Sequence, residues 1–84
     1  MVKVKLFGTL RIDSGIKELD IEADSVRKLY EPLYSEILKI NPDPGFTLKE
    51  LKDCIIAVNG RRVNKNTALS DGDEVLILTA AGGG

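Results

Sequence analysis

Hydrophobic positions change their period along this chain, and each change predicts an element. From Val2 to Leu10 the period is two: Val2, Val4 and Leu6 share one face, and Lys3, Lys5 and Phe7 share the other. That is the repeat of a half-buried strand, with Phe7 an apolar intruder on the polar side. Asp13-Ser14-Gly15 reads as a turn, and Ile16 to Glu22 alternates again with Leu19 and Ile21 directed inward, so the two runs predict an antiparallel hairpin. Asp24-Ser25 then supplies a helix N-cap signal, and Val26, Leu29, Leu33, Ile37 and Leu38 recur at helical spacing as far as Ile40. Pro32 lies inside that run, where it removes a backbone donor and predicts a bend or a restart. Asn41-Pro42-Asp43-Pro44-Gly45 ends the helix, and Thr47 to Lys52 fits a single helical turn.

The second half returns to strands. Cys54-Ile55-Ile56-Ala57-Val58 is a short apolar run, Asn59-Gly60 is suited to a two-residue type I′ hairpin, and Arg61-Arg62-Val63 is the return strand. Thr67 to Ser70 crosses to the turn Asp71-Gly72-Asp73, which launches a last strand from Glu74 to Thr79. This last strand is apolar on both faces and fits best beside the first, at the sheet centre. The expected fold is α+β: a mixed sheet of about five strands in ββαβββ order on one helix, the β-grasp (ubiquitin-like) arrangement. The predicted division is a domain over residues 1–79 and a flexible C-terminal glycine tail over 80–84.

Composition narrows the function. The 84 residues allow one modest core. A hydrophobic content of 43% with 30% charged residues, and no apolar run long enough for a membrane span, predicts a soluble, cytoplasmic protein. The net charge of -1, with both signs interleaved, argues against nucleic acid as the main partner. There is no histidine and a single cysteine, Cys54, so neither a zinc site nor a histidine-based catalytic triad is expected from this chain alone. Cys54 opens an apolar strand and reads as packing; Asp71, Asp73 and Glu74 read as turn chemistry, since they lack calcium-loop spacing. Arg61-Arg62 fits either a solvated hairpin end or contact with an acidic partner surface.

Candidate chemistry lies at the end of the sequence, in Gly82-Gly83-Gly84. A glycine tail has no branches and fits a channel too narrow for side chains. An α-carboxyl has a reference pKa of about 3.5, so at neutral pH the carboxylate expected on Gly84 is an anion able to attack an activated phosphate.

Four segments in order resemble the ubiquitin-like sulfur carriers of molybdopterin and thiamine biosynthesis. Val4-Lys5-Leu6-Phe7-Gly8-Thr9-Leu10-Arg11 is similar to that family's first strand, Ala57-Val58-Asn59-Gly60 to its central hairpin, Leu69-Ser70-Asp71-Gly72-Asp73-Glu74-Val75 to its turn into the last strand, and Gly83-Gly84 to its terminal diglycine. Length favours the small subunit of molybdopterin synthase over the shorter thiamine carriers. Leu78-Thr79-Ala80-Ala81 and the extra Gly82 depart from the prolines and aromatic that often precede the diglycine there.

The resemblance implies a carrier with no catalytic residues and no cofactor of its own. A ubiquitin-activating-type adenylating enzyme would use ATP to convert the Gly84 carboxylate to an acyl-adenylate, and a persulfide donor would replace AMP to leave a thiocarboxylate. Gly82, Gly83 and Gly84 would then enter the active site of the synthase large subunit. Phe7, Arg11, Leu76 and Leu78 stand at positions the family uses for partner contact. The face pattern agrees: with Val4, Leu6, Ile56, Val58, Val75 and Ile77 against the helix, Phe7, Ile55, Ala57, Leu76 and Leu78 fall together on the open side. Two other readings stand beside this one: a thiamine-type carrier or ubiquitin-like protein modifier with the same fold and tail, and a non-catalytic interaction module with an incidental tail.

Overall fold

The computed structural model describes residues 1–79. The tail expected over 80–84, with Gly82, Gly83 and Gly84, lies outside the described residues, as does the predicted division of the chain at Thr79. The elements are β1 (Val2–Leu6), α1 (Thr9–Ser14), β2 (Glu18–Ile21), α2 (Val26–Ile40), α3 (Leu48–Lys52), β3 (Ile55–Val58), β4 (Arg61–Arg62) and β5 (Glu74–Leu78). The strands form one mixed sheet in the order β2-β1-β5-β3-β4. β5 is central and runs parallel to β1, with Leu6 opposite Ile77, and antiparallel to β3, with Ile56 opposite Ile77.

One face of the sheet is sealed by α2. Val4, Leu6, Ile56, Val58, Val75 and Ile77 are buried there against Val26, Leu29, Leu33 and Ile37. These are the positions the two periodicities select, and burying each large aliphatic side chain contributes about 1.5–3 kcal/mol. The stripe is shifted at its end: Leu38 and Ile40 are exposed, and Tyr30 and Leu51 join the core instead. Ser25 caps α2, its hydroxyl accepting from Lys28 N–H at 3.2 Å. Pro32 does not divide the helix, which runs from Val26 to Ile40 as one element. Its ring sits on the exposed side, as does Lys28, whose carbonyl it leaves without a helical donor.

The first connection corrects the sequence reading most. β1 and β2 pair antiparallel as expected, with Lys5 opposite Glu18, but β1 ends at Leu6 and the predicted turn is replaced by α1. Thr9-Leu10-Arg11-Ile12 alternates in strand fashion, yet the chain coils so that Leu10 and Ser14, four apart, are buried together while Ile12 faces solvent. Two glycines bound this turn of helix. Gly8 precedes it at φ 62°, ψ −136°, and Gly15 closes it in the left-handed region at φ 75°. Arg11 accordingly lies on a helix and not on the first strand.

Later elements follow the sequence more closely. The turn at 47–52 is α3, held by a reciprocal capping box: Thr47 Oγ1 accepts from Glu50 N–H at 3.1 Å and Glu50 Oε1 from Thr47 N–H at 2.9 Å. Asn59 and Gly60 both have positive φ, 52° and 84°, as a type I′ turn requires. The return strand is Arg61–Arg62 and the last strand stops at Leu78, each one residue shorter than expected.

Candidate functional site: an open sheet face beside the end of the last strand

The sheet face away from α2 is uncovered by any described element. Its centre is apolar. Leu76 lies between Lys5 and Ala57 on the neighbouring strands, and Leu78 is paired with Ile55; all four of Leu76, Leu78, Ala57 and Ile55 are partly exposed. Phe7 follows β1 and stays attached to the sheet, its N–H donating to the Ile77 carbonyl at 3.0 Å, which sets its ring on the open side next to Leu78. Phe7 is 42% exposed, a large apolar group left in water beside other apolar side chains. Ion pairs rim the patch: Lys5 with Glu74 at 3.3 Å and Lys3 with Glu18 at 3.6 Å. Such exposed pairs add little stability but keep the edge of the patch hydrated.

Arg11 approaches this patch from α1. Phe7 and Arg11 line one shallow hollow of about 220 Å³ together with Lys17 and Glu18. Of the four contact positions expected from the sequence, Leu76 and Leu78 lie on β5, while Arg11, carried by a helix, meets Phe7 in a hollow that neither leucine lines. The hollow offers an aromatic ring and a guanidinium side by side, a pair suited to docking protein surface.

The end of β5 is adjacent. Thr79, exposed at the end of β5, stands beside Gly8: a Cβ on Gly8 would lie 3.7 Å from Thr79 Oγ1. On the other side of Thr79 is a hollow of about 250 Å³ that includes Cys54 and the acidic side chains Asp13, Glu50 and Asp53. Burial, followed by the negative charges of Asp53 and Glu50, pushes the Cys54 thiol up, and its Sγ donates to the Glu50 carbonyl at 3.3 Å. A thiol held protonated in this way is a poor nucleophile, in keeping with a packing role.

Asp71, Asp73 and Glu74 serve the turn. Asp73 accepts from Ser70 N–H at 2.8 Å and from Asn59 Nδ2 at 3.0 Å, and Asn59 Oδ1 accepts from Glu74 N–H at 3.0 Å. The hairpin Asn59-Gly60 and the turn before β5 are thus one locked unit. Among the described residues no group of histidine, cysteine or carboxylate side chains could hold a metal ion, and no helix is long and apolar enough to cross a membrane.

The profile of the ThiS family matches residues 4–84. The chain belongs to the ThiS family. No curated protein matches this ThiS-family chain by sequence. Among solved structures, a candidate molybdopterin converting factor subunit 1 from Pyrococcus furiosus is 34% identical, covering 95% of this chain and 97% of that one with a TM-score of 0.65. Subunit 1 in the complex of subunits 1 and 2 of the molybdopterin-converting factor from Helicobacter pylori is 30% identical, covering 99% and 97% with a TM-score of 0.65. Small archaeal modifier protein 1 from Methanosarcina acetivorans is 27% identical, covering 99% and 95% with a TM-score of 0.71. The recognition made from four sequence segments and the β-grasp fold both stand. These neighbours include molybdopterin-converting factor subunits and a modifier alike, so family membership alone leaves the acceptor open.

Proposed function

We propose that this protein is the sulfur-donating small subunit of a molybdopterin synthase, with the Gly84 carboxyl as its chemical site. The observation that carries the reading is the ThiS-family match, which runs through the glycine segment to residue 84. Kinship with subunit 1 of molybdopterin-converting factors supports the pterin pathway over a thiazole acceptor. In the first step a carboxylate oxygen of Gly84 attacks the α-phosphorus of ATP on an adenylating partner, and pyrophosphate leaves. The terminal sulfur of a persulfide donor then displaces AMP, and a thiol cleaves the resulting S–S bond to free the thiocarboxylate. Phe7, Leu76 and Leu78, with Arg11, dock the body on each partner while residues 79–84, at most ~20 Å when extended, reach inward. Glycines lose much conformational freedom on binding, so the body supplies most of the affinity.

The test is incubation of the full chain with a ubiquitin-activating-type enzyme, ATP and a sulfide source, followed by intact-mass measurement. A gain of one sulfur-for-oxygen exchange, transferable to the pterin precursor in the presence of a synthase large subunit, supports the proposal. Kinship with an archaeal modifier favours a second reading, in which Gly84 is joined to lysines of target proteins. Its signature is an isopeptide-linked product in place of the thiocarboxylate.

A further inference from the structure

A second surface lies on the helix side of the sheet, away from Phe7 and Leu78. An open groove of about 480 Å³ runs between α2, α3 and the segment that follows β4. Three elements each contribute a cation to it: Arg27 from α2, Lys52 from α3 and Lys65 from the segment. No carboxylate of the described residues lines the groove, and none of the three cations makes an ion pair among them. Elsewhere Lys3, Lys5, Lys28 and Lys39 are paired with carboxylates, whereas Arg11, Lys17, Lys49, Arg61 and Arg62 make no ion pair among the described residues. A chain of net charge -1 has thus gathered unneutralised cations at one place, where their fields add.

The groove is also built to bind. Arg27 Nη2 donates to Asn66 Oδ1 at 2.7 Å, which fixes the guanidinium and leaves its other donors free. Tyr30 lines the groove with its side chain only 2% exposed, yet its hydroxyl makes no hydrogen bond among the described residues and keeps contact with solvent. Burial raises the Tyr30 pKa, so the hydroxyl remains a donor throughout the neutral range. Because that hydroxyl is open to solvent, an acceptor from outside can take the place of water on it. Ile56 and Val63 also line the groove, so a ligand with some apolar surface is preferred to a bare ion.

We propose that this groove receives an acidic, partly apolar segment of a partner protein, its carboxylates meeting Arg27, Lys52 and Lys65 and one acceptor meeting Tyr30. The segment binds on the side of the sheet opposite the Phe7 patch, so both contacts can be made at once. It does not depend on Gly84, and removal of Gly83 and Gly84 leaves it intact. That separates its failure from failure of the sulfur-carrier reading.

The experiment titrates the isotope-labelled full chain with a fluorescent peptide that alternates glutamate and leucine. Saturable binding is expected, with amide shifts confined to residues 27–30, 52 and 63–66. K65E alone and R27E with K65E, both at exposed positions, should weaken it by about tenfold or more, and Y30F by about threefold, with the circular dichroism spectrum unchanged. The same peptide with lysine in place of glutamate should not bind. Affinity unchanged by charge reversal, or shifts centred on Phe7, Leu76 and Leu78, would overturn the proposal. So would displacement of the peptide by inorganic phosphate at equal concentration, which marks a small-anion site. Self-association abolished by R27E with K65E would make the occupant a second copy of this chain, and would overturn it too.

Discussion

Gly8 stands against Thr79 just past the end of β5, the vector of its absent Cβ ending 3.7 Å from Thr79 Oγ1. Space is not the constraint there, since that distance is an ordinary contact. The backbone is: φ 62° with ψ −136° is a conformation that side chains with a Cβ rarely adopt.

Gly8→Ala should therefore destabilise the fold by about 1–3 kcal/mol through backbone strain. Urea unfolding measures it. An unchanged midpoint would show that the segment between β1 and α1 relaxes freely, and Thr79 would then lack a fixed neighbour.

Phe7→Ala and Leu78→Ala should each weaken docking on an adenylating enzyme by about 1–2 kcal/mol, while the melting temperature stays near that of the parent. Calorimetric titration and thermal scans separate the two effects. A large stability loss in either variant would make the residue a packing element and not a docking one.

Pro32 occupies the interior of α2 on its exposed side. Pro32→Ala restores a backbone donor to the Lys28 carbonyl and should stabilise the protein by about 1–3 kcal/mol. Chemical denaturation tests this; a loss of stability would mean that the ring itself is used in packing.

Asp73 carries the pH dependence of the locked turn. The Ser70 amide, then the Asn59 side chain, lower its pKa in the folded state. A lowered folded pKa contributes stability that is present above the unfolded value, about 3.9, and is lost as pH falls through the folded one. Asp73→Asn should be less stable than the parent at pH 7, and the two should converge as acid protonates Asp73. Denaturation midpoints at pH 7 and in acid measure the difference, and a gap that persists in acid would refute this assignment.

Much of the fold is legible in the hydrophobic pattern because the sheet and α2 bury their faces by strict periods. Val4, Leu6, Val75 and Ile77 at spacing two, and Leu29, Leu33 and Ile37 at helical spacing, have no other way to leave water together. Asn59-Gly60 is legible because its turn needs two positive φ angles. α1 is not, since six residues are too few for a helical period to outweigh the strand-like alternation of Thr9 to Ile12; the bracketing pair Gly8 and Gly15 is the signal that could have found it. Tyr30 reads as one more helical position, and its unpaired hydroxyl is visible only once Lys52 and Lys65 stand near it. The open patch is legible as alternate residues of the strands, whereas the cationic groove is not, because its members come from three separated stretches.

The sheet has two sides, and α2 has taken one. Only one bare side borders Thr79, so any two partners that both grip Phe7 and Leu78 must queue. Each handover then requires the first host to let go completely, and neither can hold tightly without slowing the traffic between them.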